Sequence, residues 1–327
     1  MENQTQQQDP AAPLAAARFI KEIGRGKDGA RSLSREDASL LYSAMLDGRV
    51  SDLELGAILL AFRIKGESVE EIAGFLAAAE TSFTPVTAPA GLYAPVVIPS
   101  YNGARHMVNL TPLLALLLAR EGVPVLMHGV THDAGRVTSA EIFQALDLPP
   151  ALDAAQAGIR FSEGLPAFMP IEVLAPKIAR LLSLRRVLGV RNSTHTLVKI
   201  MQPFDAAALR LTSYTHPEYF TMLSTYFTQA APAARGDVFL MRGTEGETVA
   251  NARRAQQIDW FCRGTSTPLV SKQIVADVFS EALKERDAVA TARMIEAMLN
   301  GKIEVPAAIS EQVRHCVAVA ANIAVRR

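Results

Sequence analysis

Residues 95–126 read PVVIPSYNGARHMVNLTPLLALLLAREGVPVL, and this stretch decides the fold. Pro95-Val96-Val97-Ile98 and Val123-Pro124-Val125-Leu126 are short apolar runs on either side of a helical stretch, Thr111–Glu121. Strand, helix, strand at this spacing predicts two parallel strands joined by a crossover helix, with helices covering a sheet. Leu197–Met201 and Val238–Met241 supply further strand candidates, Thr138 with Glu141 starts another helix, and helices dominate again from Leu269 to the end. In an open parallel sheet, ligands sit beyond the carboxyl ends of the strands. The loops there are Pro99–Asn109, with Arg105 and His106; His128–Val137, with His132 and Arg136; and Arg242–Arg254, with Arg242, Arg253 and Arg254. They would line one crevice with positive charge, unless they are solvated surface charges.

The first third is punctuated differently. Ser34 with Asp37, Ser51 with Glu54 and Ser68 with Glu71 are Ser-x-x-acid helix starts, and Gly48 and Gly66 stand where the first two helices should stop. Helices are expected over Ser34–Asp47, Asp52–Lys65 and Val69–Thr81, after one near Leu14–Ile23. The apolar face Leu53, Ile58, Leu60, Phe62 would pack this helical unit, with a dimer contact as a second use.

Bulk properties bound the function. The 327 residues hold 33 bases and 33 acids, which excludes a protein basic all over and leaves local clustering as the route to anion binding. Cys262 and Cys316 stand in no metal or disulfide spacing. No apolar run is long enough to span a bilayer, and the polar start MENQTQQQDPAAP reads as a disordered lead-in (residues 1–13) rather than a signal peptide. A cytoplasmic protein away from the membrane is expected. Between Val173 and Phe204 there is no acid, but there are Lys177, Arg180, Arg185, Arg186, Arg191 and Lys199. A second basic run, Lys21, Arg25, Lys27, Arg31 and Arg35, is diluted by Glu22, Asp28 and Glu36. A third is Arg242, Arg253 and Arg254, then Arg263. Phosphodiester backbones repeat their charge, so separated cations suit them better than one tight pocket does.

Several segments resemble the anthranilate phosphoribosyltransferases of glycosyltransferase family 3. LSREDASLLYSAMLDGRVSDLELGAILLAFRIKGESVEEIAGFLAAAE (33–80) is similar to their N-terminal helical domain, HGVTHDAGRVTSAEIFQALD (128–147) to their second phosphate segment, and RRVLGVR (185–191) to one of their helices. The resemblance implies an α/β protein: a small discontinuous all-helical domain, residues 14–85 with about 167–190, and a larger α/β domain, 91–166 with 191–327. The larger domain would have a mostly parallel central sheet and flanking helices, and the small one would form a homodimer.

The family's catalytic pieces are altered. Its GTGGDG diphosphate turn is replaced by Pro99-Ser100-Tyr101-Asn102-Gly103-Ala104, which loses the acid and adds a side chain at Tyr101. Asn109-Leu110-Thr111-Pro112 keeps part of an Asn-Ile-Ser-Thr motif. His128 and Gly129 persist, but Met127 replaces a lysine, Val130 an asparagine and Ala134-Gly135 a serine pair. The magnesium-binding acid pair becomes Gly243-Thr244-Glu245-Gly246-Glu247, with separated glutamates. Arg185 falls at an anthranilate-contacting arginine, yet the Asn-Leu-Leu-Gly-Pro that follows in the family is His195-Thr196-Leu197-Val198-Lys199 here.

The whole set instead resembles the YbiB-type branch of this fold, on GRGKDGARSLSRED (24–37), RNSTHTLVKI (191–200) and RGTEGETVANARR (242–254). That resemblance implies a DNA- or RNA-binding homodimer with little sequence preference. The expected nucleic-acid contacts are Lys177, Arg180, Arg185, Arg186, Arg191, Lys199, Arg242, Arg253 and Arg254. Tyr101, Asn102, Gly103, Arg105, Asn109, His128, Gly129, His132, Glu245 and Glu247 remain as altered substrate-site loops, with no catalytic residue, cofactor or metal assigned. Tyr101, His106 and His132 would offer stacking faces. His128 reads as a structural histidine rather than a metal ligand paired with His132, and Trp260 as packing. Glu245 and Glu247 read as caps of a following helix or partners of a loop amine. The competing expectation is a phosphoribosyltransferase with an altered aromatic or nitrogenous substrate.

Overall fold

The computed structural model describes residues 12–26, 28–252, 257–271 and 286–327. From the N-terminus, helices α1 (Ala17–Ile23), α2 (Arg35–Leu46), α3 (Asp52–Lys65) and α4 (Val69–Glu80) precede strand β1 (Val96–Ser100). There follow α5 (Thr111–Arg120), β2 (Val125–Gly129), α6 (Ser139–Ala145), α7 (Ala154–Ser162) and β3 (Ala167–Pro170). Short helices α8 (Ile171–Leu174), α9 (Pro176–Ser183), α10 (Arg185–Leu188) and α11 (Thr194–Leu197) lead to β4 (Ala208–Tyr214), α12 (Pro217–Gln229) and β5 (Gly236–Arg242). The strands β6 (Ile258–Cys262) and β7 (Thr265–Val270) and the helices α13 (Ala288–Leu299) and α14 (Ala307–Arg326) come last. The chain divides into two compact units, one running to Phe83 with Lys177–Leu197, the other Thr84–Pro176 with Val198–Arg327.

The helical unit follows its start signals. Ser34 accepts a hydrogen bond from the Asp37 amide, and Ser51 and Ser68 form reciprocal capping boxes with Glu54 and Glu71. Each cap satisfies amides that would otherwise be orphaned, a contribution of about 1 kcal/mol apiece. Gly48 and Gly66 have φ of 71° and 79°, the left-handed backbone that stops α2 and α3. Helices α2 and α4 approach so closely that a Cβ at Gly74 would lie 2.3 Å from the Arg35 carbonyl oxygen. Tyr42 stacks on Phe75 and Phe62 meets Phe75 edge-on, both at 5.0 Å. The fully buried Glu71 carboxylate accepts from the Leu33 amide, the Ser68 amide and Lys65 Nζ, so its charge is compensated. The expected packing face of α3 divides in two. Ile58 and Phe62 are buried, whereas Leu53 is 86% and Leu60 47% exposed, because the core-facing stripe is Leu55, Ile58, Leu59, Phe62.

The second unit is built on a seven-stranded sheet in the order β3-β2-β1-β4-β5-β6-β7. The first five are parallel; β6 and β7 add on as antiparallel strands. Strands β1 and β2 are buried along their whole length, which is why they read as unbroken apolar runs. Val96, Ile98, Val125, Met127, Leu209, Leu211, Phe239 and Met241 join residues of α5, α6, α13 and α14 in one core.

Three expectations change. Leu197–Met201 is the end of α11 and a turn, not a strand, and the strand is Ala208–Tyr214. Its apolar pattern is broken by Arg210, which is 2% exposed and donates Nη1 to the Ile200 carbonyl. Residues 167–176 fall in the α/β unit, because β3 pairs with β2, while Arg191–Leu197 belong to the helical unit. Thr265–Val270 is a strand, so Leu269 does not begin a helix. Most of the expected lead-in, residues 1–11, lies outside the described residues, as does Lys27. Among the described residues no helix is long and apolar enough to cross a membrane.

Candidate functional site

Since β1, β2 and β5 run parallel, the segments that leave their carboxyl ends emerge at one edge of the sheet. Two of these ends press together. A Cβ on Gly129 would lie 1.7 Å from the Ser100 carbonyl oxygen, so only glycine fits there. Beyond them Ala104 and Val137 exchange backbone hydrogen bonds of 3.0 and 2.9 Å, which ties the β1–α5 loop to the β2–α6 loop. Asn109 reinforces the tie by donating Nδ2 to the Val137 carbonyl and to Ser139 Oγ, both at 3.2 Å.

The turn after β5 closes onto the same loop. Glu245 and Gly246 have φ of 52° and 93°, and the Glu247 amide donates to the Thr244 carbonyl at 2.9 Å, so residues 244–247 form a tight left-handed turn. That turn aims both glutamates at backbone N–H groups. Glu247 Oε1 accepts from the Asn102 and Gly103 amides, both at 2.8 Å. Glu245 accepts from the Arg105, His106 and Met107 amides, the last two at 2.7 and 2.9 Å. The Gly246 carbonyl between them accepts from Asn102 Nδ2, Ser213 Oγ and Lys199 Nζ at 2.9, 2.8 and 3.3 Å. Expected as helix caps or partners of a loop amine, Glu245 and Glu247 instead accept from backbone amides of the β1–α5 loop. Three of the four carboxylate oxygens accept from loop amides, and Glu247 Oε2 is buried without a hydrogen-bond partner among the described residues. Among the described residues no three His, Cys, Asp or Glu side chains gather to hold a metal ion.

Tyr101 reaches back to the sheet. Its Oη lies 2.6 Å from Nδ1 of His128, whose ring is fully buried at the end of β2. Burial pushes the His128 pKa down to about 3, so the ring is neutral, and its Nε2 has no hydrogen-bond partner among the described residues. Burial likewise holds the Tyr101 phenol well above its ordinary range. Tyr101 is therefore a packed, hydrogen-bonded side chain and not an open stacking face. His132 is exposed and lies 3.0 Å from Glu141 Oε1, beside the Thr138–Glu141 capping box. Trp260 packs on the core and donates Nε1 to Asp237.

The expected cations divide between the two units. In the helical unit Lys177 donates to Asp47 Oδ1 at 2.7 Å, and Arg180 donates to the Met45 carbonyl. The acid missing from Val173–Phe204 is thus supplied by α2. Arg185 and Arg186 are exposed on α10, without a charged partner among the described residues, and Arg191 is half-buried. In the α/β unit Lys199 is half-buried at the Gly246 carbonyl and Arg242 is exposed where β5 ends. Arg253 and Arg254 lie outside the described residues. Arg263 sits in the β6–β7 turn, next to the start of β5 and so at the opposite edge of the sheet from Arg242. Arg136, expected among the cations lining the crevice, donates Nη1 to the Gly103 carbonyl at 3.3 Å and lies 4.0 Å from Glu245 Oε2.

The YbiB protein of Escherichia coli strain K12 is 44% identical over 301 residues, 91% of this chain and 92% of that one. The chain belongs to the YbiB family. Residues 17–82 of this YbiB-family protein also match the helical bundle domain of the glycosyl transferase family. An anthranilate phosphoribosyltransferase of Ralstonia nicotianae is 32% identical over 183 residues, 55% of this chain and 52% of that one. Crystal structures of anthranilate phosphoribosyltransferase share the fold. The enzyme of Thermus thermophilus superposes with a TM-score of 0.70 at 22% identity, over 94% of this chain and 89% of that one. The Saccharomyces cerevisiae enzyme in complex with PRPP and Mg also reaches 0.70, at 12% identity, over 98% and 91%. The YbiB-family chain therefore has an anthranilate phosphoribosyltransferase-like scaffold whose β1–α5 loop amides are bonded to its own carboxylates.

Proposed function

We propose that this protein binds DNA or RNA with little sequence preference, through phosphate contacts, and transfers no phosphoribosyl group. The observation that carries the reading is the pair Arg185 and Arg186, exposed in a stretch free of acids and facing no described carboxylate. Such cations hold hydrated counter-charge that a polyanion replaces, with release of its own condensed ions. Arginine's planar fork suits phosphate oxygens. Arg191, Lys199 and Arg242 add further cations on their own units, and Lys177 contributes only after leaving Asp47. Against the transferase reading stand Glu245 and Glu247, whose carboxylates hold five amides of the loop that a diphosphate would need.

The reading includes a homodimer. On α3, Leu53, Leu60 and Ile64 form an exposed apolar stripe at helical spacing, 86%, 47% and 71% exposed, of the kind a second copy covers. Leu60→Asp should yield a monomer in sedimentation.

Fluorescence anisotropy with labelled single strands of several sequences tests the nucleic-acid reading. Log affinity should fall with log salt in steps of about 0.7 per phosphate contact, equally for all sequences. A salt-independent affinity refutes it. Calorimetry with phosphoribosyl diphosphate and magnesium should give no binding heat at millimolar ligand, whereas heat there supports the transferase instead.

A further inference from the structure

At the edge of the sheet where β5 begins, the α/β unit holds a cavity of about 500 Å³ lined by Asp237, Arg263, Arg326 and Arg327. That size falls within the range of small-molecule sites, roughly 300–1,000 Å³. Two of its charges cancel: Asp237 is buried, and its Oδ2 accepts from Trp260 Nε1 at 2.8 Å and from Arg326 Nη2 at 2.6 Å. Arg327 donates Nε and Nη2 to the Ala207 carbonyl, which fixes its guanidinium without neutralising it. The acid in its field, Asp205, has Oδ1 on the Ala88 amide at 2.9 Å. Arg263 is exposed and forms no ion pair among the described residues. Its place in the chain is unusual. Cys262 pairs with Thr265 across the β6–β7 hairpin, so Arg263 and Gly264 alone make the turn, with φ of 47° and 79°. A two-residue turn with both φ positive favours Asn-Gly or Asp-Gly, since these residues enter the left-handed region with least strain. The chain instead holds a long cation there, at a backbone cost that the hairpin itself does not require. Strain of this kind gathers where the side chain is used.

We propose that this cavity seats one nucleotide of a bound strand, its phosphodiester on Arg263 and Arg327. The α/β unit then meets nucleic acid at the edge of the sheet opposite Arg242. The inference rests on the nucleic-acid reading and adds a contact which that reading does not contain. A phosphodiester has two free oxygens, which match the arginine fork. Ala234 and Gly236 also line the cavity, and their small size lets a sugar lie close to the backbone.

Anisotropy of a labelled single strand tests it on the wild type, Arg263→Asn, Ala234→Glu and, for comparison, Arg314→Ala. Asparagine suits the turn, so Arg263→Asn should melt no lower than the wild type. It should nevertheless bind about fivefold more weakly at 0.1 M salt, with a salt slope shallower by about 0.7, the loss of one phosphate contact. Ala234→Glu puts an acid on the cavity wall and should weaken binding by at least about as much. Arg314 lies on α14 beside Glu311, and its loss changes the net charge as Arg263→Asn does. Arg314→Ala should stay within about twofold of the wild type, because salt screens charges away from the strand. If it weakens binding as much as Arg263→Asn does, the effect is one of net charge and the seat is overturned. A wild type that binds no strand overturns the nucleic-acid reading and this site together. Wild-type binding that Arg263→Asn matches in affinity and slope overturns this site alone.

Discussion

Replacing Arg185 and Arg186 together by alanine isolates the electrostatic part of nucleic-acid binding. Both side chains are exposed on α10, and neither has a charged partner among the described residues, so their loss opens no buried hole and strands no carboxylate. Stability should stay within about 0.5 kcal/mol of the wild type, the usual range for such surface changes. If each arginine neutralises one phosphate of a single strand, the slope of log affinity against log salt should become shallower by about 1.4. The same relation makes each contact worth about fivefold at 0.1 M salt, so the double variant should bind about 25-fold more weakly there and approach the wild type near 1 M. The assay is anisotropy of a labelled oligonucleotide between about 0.05 and 0.4 M potassium chloride, with thermal melting alongside. A slope unchanged by the double substitution refutes the reasoning, because it leaves the most open cations without any phosphate to release.

Asp47→Ala should act oppositely: it frees Lys177 from its 2.7 Å partner, and binding should tighten by up to about fivefold at 0.1 M salt, read by the same anisotropy titration. Glu247→Ala removes two charge-assisted bonds to the Asn102 and Gly103 amides and leaves both buried, a loss of about 3–6 kcal/mol that should lower the melting temperature by at least about 6 °C. Gly129→Ala should yield no soluble folded protein, as judged by circular dichroism of the expressed chain, because its Cβ would meet backbone at 1.7 Å. His128 is neutral in the fold, with its pKa depressed from 6.5 to about 3, so the unfolded chain binds the extra proton. Stability therefore falls as pH drops below about 6.5, by up to about tenfold in the folding equilibrium per pH unit, and His128→Asn should flatten denaturant midpoints between pH 6.5 and 5.

What the sequence reveals is what is local. The Ser-x-x-acid starts at Ser34, Ser51 and Ser68 place three helices to within a residue or so, since a cap and its amides lie within one turn of chain. Strands β1 and β2 are legible because both faces are buried and the apolar run is unbroken. Strand β4 is hidden by Arg210, whose charge in the middle of Ala208–Tyr214 is met by the Ile200 carbonyl and by the nearby Asp237. β6 and β7 are hidden because Asp259, Pro268 and three hydroxyl residues interrupt any apolar alternation.

The site shows the limit more sharply. A run without acids looks uncompensated, yet Asp47 reaches Lys177 across 130 positions, and Glu245 and Glu247 reach the β1–α5 loop across about 140. Charge counted along the chain therefore overstates how open Lys177 is and says nothing of the amides, which carry no signature of their own. It does single out Arg185 and Arg186, because a four-residue helix ended by Gly189 at φ 71° turns both outward with no acid in the described structure beside them. The nucleic-acid reading consequently depends on residues whose solvation both sequence and structure agree upon.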